Sequence, residues 1–189
     1  MAGPDFSSLP DDLPVPQDDG AADHLTGLRL PDVALRATDG SLVSLARLPG
    51  RTVVFAYPRT GVPGQPNLVA DWDAIPGARG CTPQACTFRD AHAELLRRGV
   101  ERVFGLSTQD GAHQREAATR LHLPYAILSD RSRALALALR LPTFEAGGET
   151  LLKRLTLVID DGVVAKAFYP VFPPDRSAEA VIAWLDAAV

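Results

Sequence analysis

Thr52-Val53-Val54-Phe55-Ala56-Tyr57-Pro58 is an unbroken apolar, β-branched and aromatic run closed by a proline. A run without polar alternation suits a central strand covered on both faces, as in a sheet wrapped by helices. The chain beyond it supports that reading. Phe88, Ala91, His92, Leu95 and Leu96 recur at helical spacing from a start near Thr82-Pro83, and Gly99 supplies the stop. Residues 102–107 read as the next strand, 112–122 as a helix and 125–128 as a short strand. Ser129-Asp130 then caps a helix through Leu139. Residues 154–159 and 163–169 flank Asp160-Asp161-Gly162, an acidic hairpin turn rather than a metal loop, and 177–188 is an amphipathic helix. Upstream of the opening run, Leu30, Val33 and Leu35, the turn Thr38-Asp39-Gly40-Ser41, and 42–45 make an N-terminal hairpin.

Strands alternating with helices, then a hairpin and a last helix, predict an α/β fold with a mixed central sheet flanked by helices. A thioredoxin-like architecture fits this order. A flavodoxin-like sheet is the runner-up, and the hairpin at 154–169 counts against it. Residues 1–23 hold four prolines and six aspartates with no Lys or Arg, and read as a flexible acidic tail. Residues 24–189 are then the domain. The turn-rich stretch 59–80 lacks periodicity, which is unusual inside a compact domain and leans functional.

Composition bounds the rest. The chain has 189 residues, 19 Lys+Arg against 23 Asp+Glu and a net charge of −4, so removing the acidic tail leaves a nearly neutral body. An extended nucleic-acid footprint needs a clustered basic face, which is absent from the sequence. No window of 18 apolar residues suggests a membrane span, and the start lacks the pattern of a signal peptide. Two cysteines cannot make a disulfide scaffold. A cytoplasmic, soluble protein is expected.

The two cysteines stand together in Gly80-Cys81-Thr82-Pro83-Gln84-Ala85-Cys86-Thr87-Phe88-Arg89-Asp90, where a Gly/Pro-rich loop enters a helix. A thiol at a helix start meets unpaired N–H groups and the positive end of the macrodipole, which favour the thiolate nucleophile. Arg79 and Arg89 are near in sequence and add to this. The bland reading is a pair of buried cysteines acting as small hydrophobes. Two thiols five apart at such a boundary, in a chain with no others, favour redox chemistry instead. Zinc is disfavoured, because there is no second ligand pair and His92 is off the face of either cysteine. His24, His92, His113 and His122 show no triad or metal spacing.

This motif resembles the active-site helix of peroxiredoxins of the Q / bacterioferritin comigratory protein type. The resemblance extends in order over roughly residues 28–170, through Leu30-Pro31-Asp32, Gly105-Leu106-Ser107, Leu123-Pro124-Tyr125 and Arg154-Leu155-Thr156. It implies that Cys81 attacks the peroxide and becomes a sulfenic acid, and that Cys86 resolves this to a disulfide. It implies that Arg154 stabilises the thiolate and polarises the peroxide. Hydrogen peroxide or organic hydroperoxides would be substrates and thioredoxin or a similar dithiol the reductant. No cofactor or metal is implied, and the chain would be a monomer or weak homodimer without nucleic-acid or membrane partners.

The sequence departs from the family in the loop before Cys81. The family has a proline seven residues before the peroxidatic cysteine and a hydroxyl three before it, where this chain has Ala74 and Ala78. The family-like Tyr57-Pro58 lies 23 residues before Cys81, which implies an insertion within 59–80. Pro58 and Thr60 are therefore the expected counterparts of the family's proline and hydroxyl, with Pro76-Gly77 as an alternative match. Trp72, with Leu68, Val69 and Ile75, reads equally as an excursion folded onto the body or as a flap over the pocket. Two other functions compete with the peroxidase: a general thiol–disulfide oxidoreductase, which usually wants a closer cysteine pair, and a redox sensor or holdase.

Overall fold

The computed structural model of the chain describes residue 6 and residues 8–188. The strands are β1 (Ala34–Ala37), β2 (Leu42–Ser44), β3 (Arg51–Ala56), β4 (Val100–Ser107), β5 (Ile127–Ser129), β6 (Thr143–Ala146), β7 (Glu149–Leu152), β8 (Leu155–Asp160) and β9 (Val163–Phe168). The helices are α1 (Cys81–Asp90), α2 (His92–Arg97), α3 (Gly111–Arg120), α4 (Ala134–Leu139) and α5 (Ser177–Ala187). Seven strands form one sheet in the order β2-β1-β5-β4-β3-β8-β9. The β3–β4 and β4–β5 pairings are parallel and the others in that sheet antiparallel. This is the expected thioredoxin-like α/β arrangement, with the N-terminal hairpin at one edge. Among the described residues no helix is long and apolar enough to cross a membrane.

The opening apolar run holds the centre of the sheet, and its side chains alternate between faces. Val53, Phe55 and Tyr57 pack with Phe88 of α1, Leu95 of α2 and Leu185 of α5. Val54 and Ala56 turn the other way, toward Leu25 and toward Leu135 and Leu139 of α4. The Phe55 and Phe88 rings stack with centroids 4.4 Å apart and planes 5° apart. Such a pair contributes about 0.5–1.5 kcal/mol beyond its buried area. It ties the cysteine helix to the central strand. Asp130 caps α4 as expected, accepting from the N–H groups of Leu135 and Ala136 at 3.1 and 2.8 Å.

Three features differ from the sequence reading. The helix expected from 82 to 98 begins one residue earlier, at Cys81, and is interrupted at Ala91. A hairpin was not foreseen: β6 and β7 pair antiparallel around Gly147-Gly148, both at positive φ. The insertion folds onto this hairpin, where Trp72 and Ala78 are buried against Ala146 and Leu151 with Leu68, Ile75 and Phe144 around them.

The third difference concerns the expected flexible tail. Of that tail, 1–5 and 7 lie outside the described residues; residues 8–23 have no helix or strand, yet they lie as a strap against the body. Asp19 accepts from Lys153 Nζ at 2.7 Å and from the Tyr169 hydroxyl at 2.8 Å. The bond from Lys153, then that from Tyr169, holds its carboxyl down at about 2. Ala22 is buried in the core behind it. The cause is simple: Asp19, which locally accepts from the Ala21 N–H at 3.1 Å, finds two further donors in the C-terminal half.

Candidate active site

The loop enters α1 through Gly80 at φ 103°, where a Cβ would lie 2.3 Å from Pro174 Cγ and 2.9 Å from Leu9 Cδ2. Only glycine fits both the backbone and the space. Cys81 follows as the first helical residue and is 3% exposed. Its position among the unpaired first-turn N–H groups is the one the sequence suggested. The Cys81 thiol donates to the Ala78 carbonyl at 3.5 Å.

Arg154 stands between β7 and β8, 3% exposed. Its Nη2 reaches Cys81 Sγ at 3.3 Å and the carbonyls of Gly77, Ala78 and Arg79 at 3.1, 3.3 and 3.0 Å. Its Nη1 donates to Gln84 Oε1, and Gln84 in turn donates to Ser177 Oγ at 3.2 Å. Ser177 Oγ is 3.1 Å from Thr156 Oγ1. The guanidinium is thus held from both sides, by the loop before the cysteine and by the helix after it. Arg154 Nε finds no acceptor among the described residues.

Cys86 is half-buried on the same helix, and both thiols are free. Burial pushes its thiol up, Arg89 and Arg120 draw it down, and Asp90 pushes it up further. The neighbouring Ala85 carbonyl accepts from the buried Tyr125 hydroxyl at 2.7 Å, which pins this turn of the helix.

A cleft opens onto Cys81, and Phe6, Thr60, Trp72, Arg79 and Thr82 share its walls. The apolar residues of the insertion fold onto the body, and two of them, Leu68 and Trp72, also line the cleft. Thr60 reaches the cleft, but its hydroxyl is committed to Gln109 Oε1 at 3.1 Å and its carbonyl to His113 Nε2 at 2.8 Å. Among the described residues no hydrogen bond joins this hydroxyl to Cys81, although both groups line the one cleft. Pro58 is buried below and is not among the cleft's walls. At position 78 the backbone carbonyl, not the side chain, meets the cysteine and the arginine.

Sequence reasoning missed Gln84, whose spacing three residues after Cys81 puts it on the same helical face. It also missed Thr82, whose buried hydroxyl lines the cleft and has no partner among the described residues. Ser177, Thr156 and Phe6 had no local signal, because tertiary packing alone delivers them. Among the described residues no cluster of three His, Cys, Asp or Glu is placed to hold a metal ion.

Comparison with known proteins gives three findings. The profile of the Redoxin family matches residues 25–182. The chain is 34% identical over 152 residues to the chloroplastic peroxiredoxin Q of Oryza sativa subsp. japonica, covering 79% of this chain and 61% of that one. It is 32% identical over 164 residues to the chloroplastic peroxiredoxin Q of Arabidopsis thaliana, covering 86% and 67%. Among solved structures it resembles peroxidoxin BcpB of Mycobacterium tuberculosis, with TM-score 0.69, 27% identity and coverage of 87% and 97%. The chain spans about three fifths of the rice relative's length. The cytoplasmic expectation is overturned by these relatives, which are chloroplastic proteins.

Proposed function

This chain belongs to the Redoxin family, among its peroxiredoxins of the Q / bacterioferritin comigratory protein type, and from that premise we propose that it is a thiol-dependent peroxidase. The observation that carries the reading is the 3.3 Å contact between Arg154 Nη2 and Cys81 Sγ at a buried helix start. The Cys81 sulfur attacks one peroxide oxygen, an S–O bond forms and the O–O bond breaks. The cysteine becomes a sulfenic acid, and the departing oxygen takes a proton and leaves as water or an alcohol. The Arg154 charge faces the oxygen on which negative charge develops. The Cys86 sulfur then displaces hydroxide from the sulfenic acid, giving a disulfide and water. A thioredoxin-like dithiol reduces this bond by two exchanges. Both thiols belong to one helix of one chain, so the cycle requires no second subunit.

Peroxide-dependent NADPH oxidation in the presence of thioredoxin and its reductase tests the reading. Steady turnover is expected. Insulin reduction without peroxide turnover would point to a general oxidoreductase, and a single oxidation without turnover to a sensor; either overturns it.

Disulfide formation demands movement. In ideal helical geometry residues five apart have Cα atoms roughly 8.6 Å apart, whereas a disulfide needs about 4.4–6.8 Å. Both cysteines lie within α1. Oxidation is therefore expected to unwind the first turns of α1, breaking the 3.0 Å bond from Gln84 N–H to the Gly80 carbonyl. Amide exchange from 81 to 88 should rise on oxidation and recover on reduction. Equal protection in both states, with the Cys81–Cys86 bond confirmed by mass spectrometry, contradicts this.

A further inference from the structure

We propose that Phe6, held in place by the strap of residues 8–23, is a wall of the peroxide cleft that selects small peroxides over bulky organic ones. The proposal deepens the peroxidase reading and takes its chemistry from it. Phe6 is 8% exposed and shares the cleft with Cys81. Its ring lies 5.4 Å from the Arg79 guanidinium, a cation–π distance.

The seat for this ring is built. A Cβ at Gly61 would fall 2.4–2.7 Å from three atoms of the Phe6 ring, so the insertion leaves open the space that the strap fills. Leu9 closes against Gly80 and Pro16 against Gly77; the Gly77 carbonyl is itself bound by Arg154, and Gly80 follows the last of the three bound carbonyls. Arg79 Nη2 donates to the Ser8 carbonyl at 3.4 Å, and Asp19 fastens the far end to Lys153 and Tyr169. The strap lies before the region matched by the family profile, 25–182.

Size gives the wall its consequence. The cleft reaches about 460 Å³ only when its solvent-open mouth is included, and the room left for a water-sized sphere inside it is far smaller. A small peroxide suits so restricted a space. A hydroperoxide carrying an aryl group meets the Phe6 ring first.

Two measurements test this, one of them independent of peroxidase activity. In a Cys86→Ser background, Cys81 is alkylated with iodoacetamide and with N-pyrenylmaleimide. With both cysteines present, rates are taken with hydrogen peroxide and with cumene hydroperoxide. Phe6→Ala is expected to raise the bulky-to-small ratio about tenfold in each measurement, a usual scale for steric discrimination. Gly61→Ala, which displaces the ring without removing it, should move both ratios the same way. Unchanged alkylation ratios overturn the wall. A shifted alkylation ratio with an unchanged peroxide ratio overturns the substrate selection. A shifted alkylation ratio in a protein that consumes no peroxide supports the wall and overturns the peroxidase reading instead.

Discussion

Replacing Cys81 by serine is expected to lower peroxide turnover by more than about 10³-fold, the scale on which loss of a nucleophile is felt. A serine hydroxyl stays protonated at neutral pH and cannot form the sulfenic acid. Cys86 is no substitute, since burial holds its thiol up and it sits one and a half turns along the helix. The Cys86→Ser variant should behave differently. It should consume one equivalent of peroxide and stop at a sulfenic acid, seen as a dimedone adduct by mass spectrometry. In the unaltered protein the second step should quicken with pH, because the Cys86 thiolate fraction grows about tenfold per unit below its raised pKa. Full turnover in Cys81→Ser would remove the proposed chemistry.

Arg154→Ala should slow the peroxide step about 10²-fold or more, since even one removed neutral donor to a developing oxyanion is worth about 2.7–4 kcal/mol in a transition state. The same change leaves the carbonyls of Gly77, Ala78 and Arg79 without their shared donor. Some loss of stability follows, on the order of 1–3 kcal/mol per buried group left unpaired. Arg154→Lys separates the two effects, because it keeps the charge but not the fork that spans the loop and Gln84. Its rate should fall between those of the unaltered protein and the alanine variant. Stopped-flow fluorescence of Trp72, which lines the cleft, gives the measurement. An unchanged rate in Arg154→Ala would exclude this residue from the site.

What the sequence displayed and what it hid follow one physical division. β3 was legible because burial on both faces forces a continuous apolar run, and the cysteine helix because Pro83 and Gly80 mark its start locally. Arg154 was legible only through resemblance, for its place is fixed by carbonyls 75–77 residues earlier. The partner of the Thr60 hydroxyl was hidden because nearness to Pro58 says nothing of it, and Gln109 lies 49 residues on. The β6–β7 hairpin did carry a signal in Gly147-Gly148. The strap did not: its aspartates read as solvated charge until Lys153 and Tyr169 were brought beside Asp19.

Those long separations also set an order of events on the ribosome. The strap leaves the ribosome before everything it clasps, 134 residues ahead of Lys153 and 150 ahead of Tyr169. Cys81 itself emerges 73 residues before Arg154. At about 5–20 residues per second, that interval lasts on the order of several seconds. During it the nascent chain has a thiol but neither the guanidinium that makes it selective in reactivity nor the fastened wall that makes it selective in size. Oxidant present during translation therefore meets an ordinary cysteine, and the same oxidant after release meets one with Arg154 beside it.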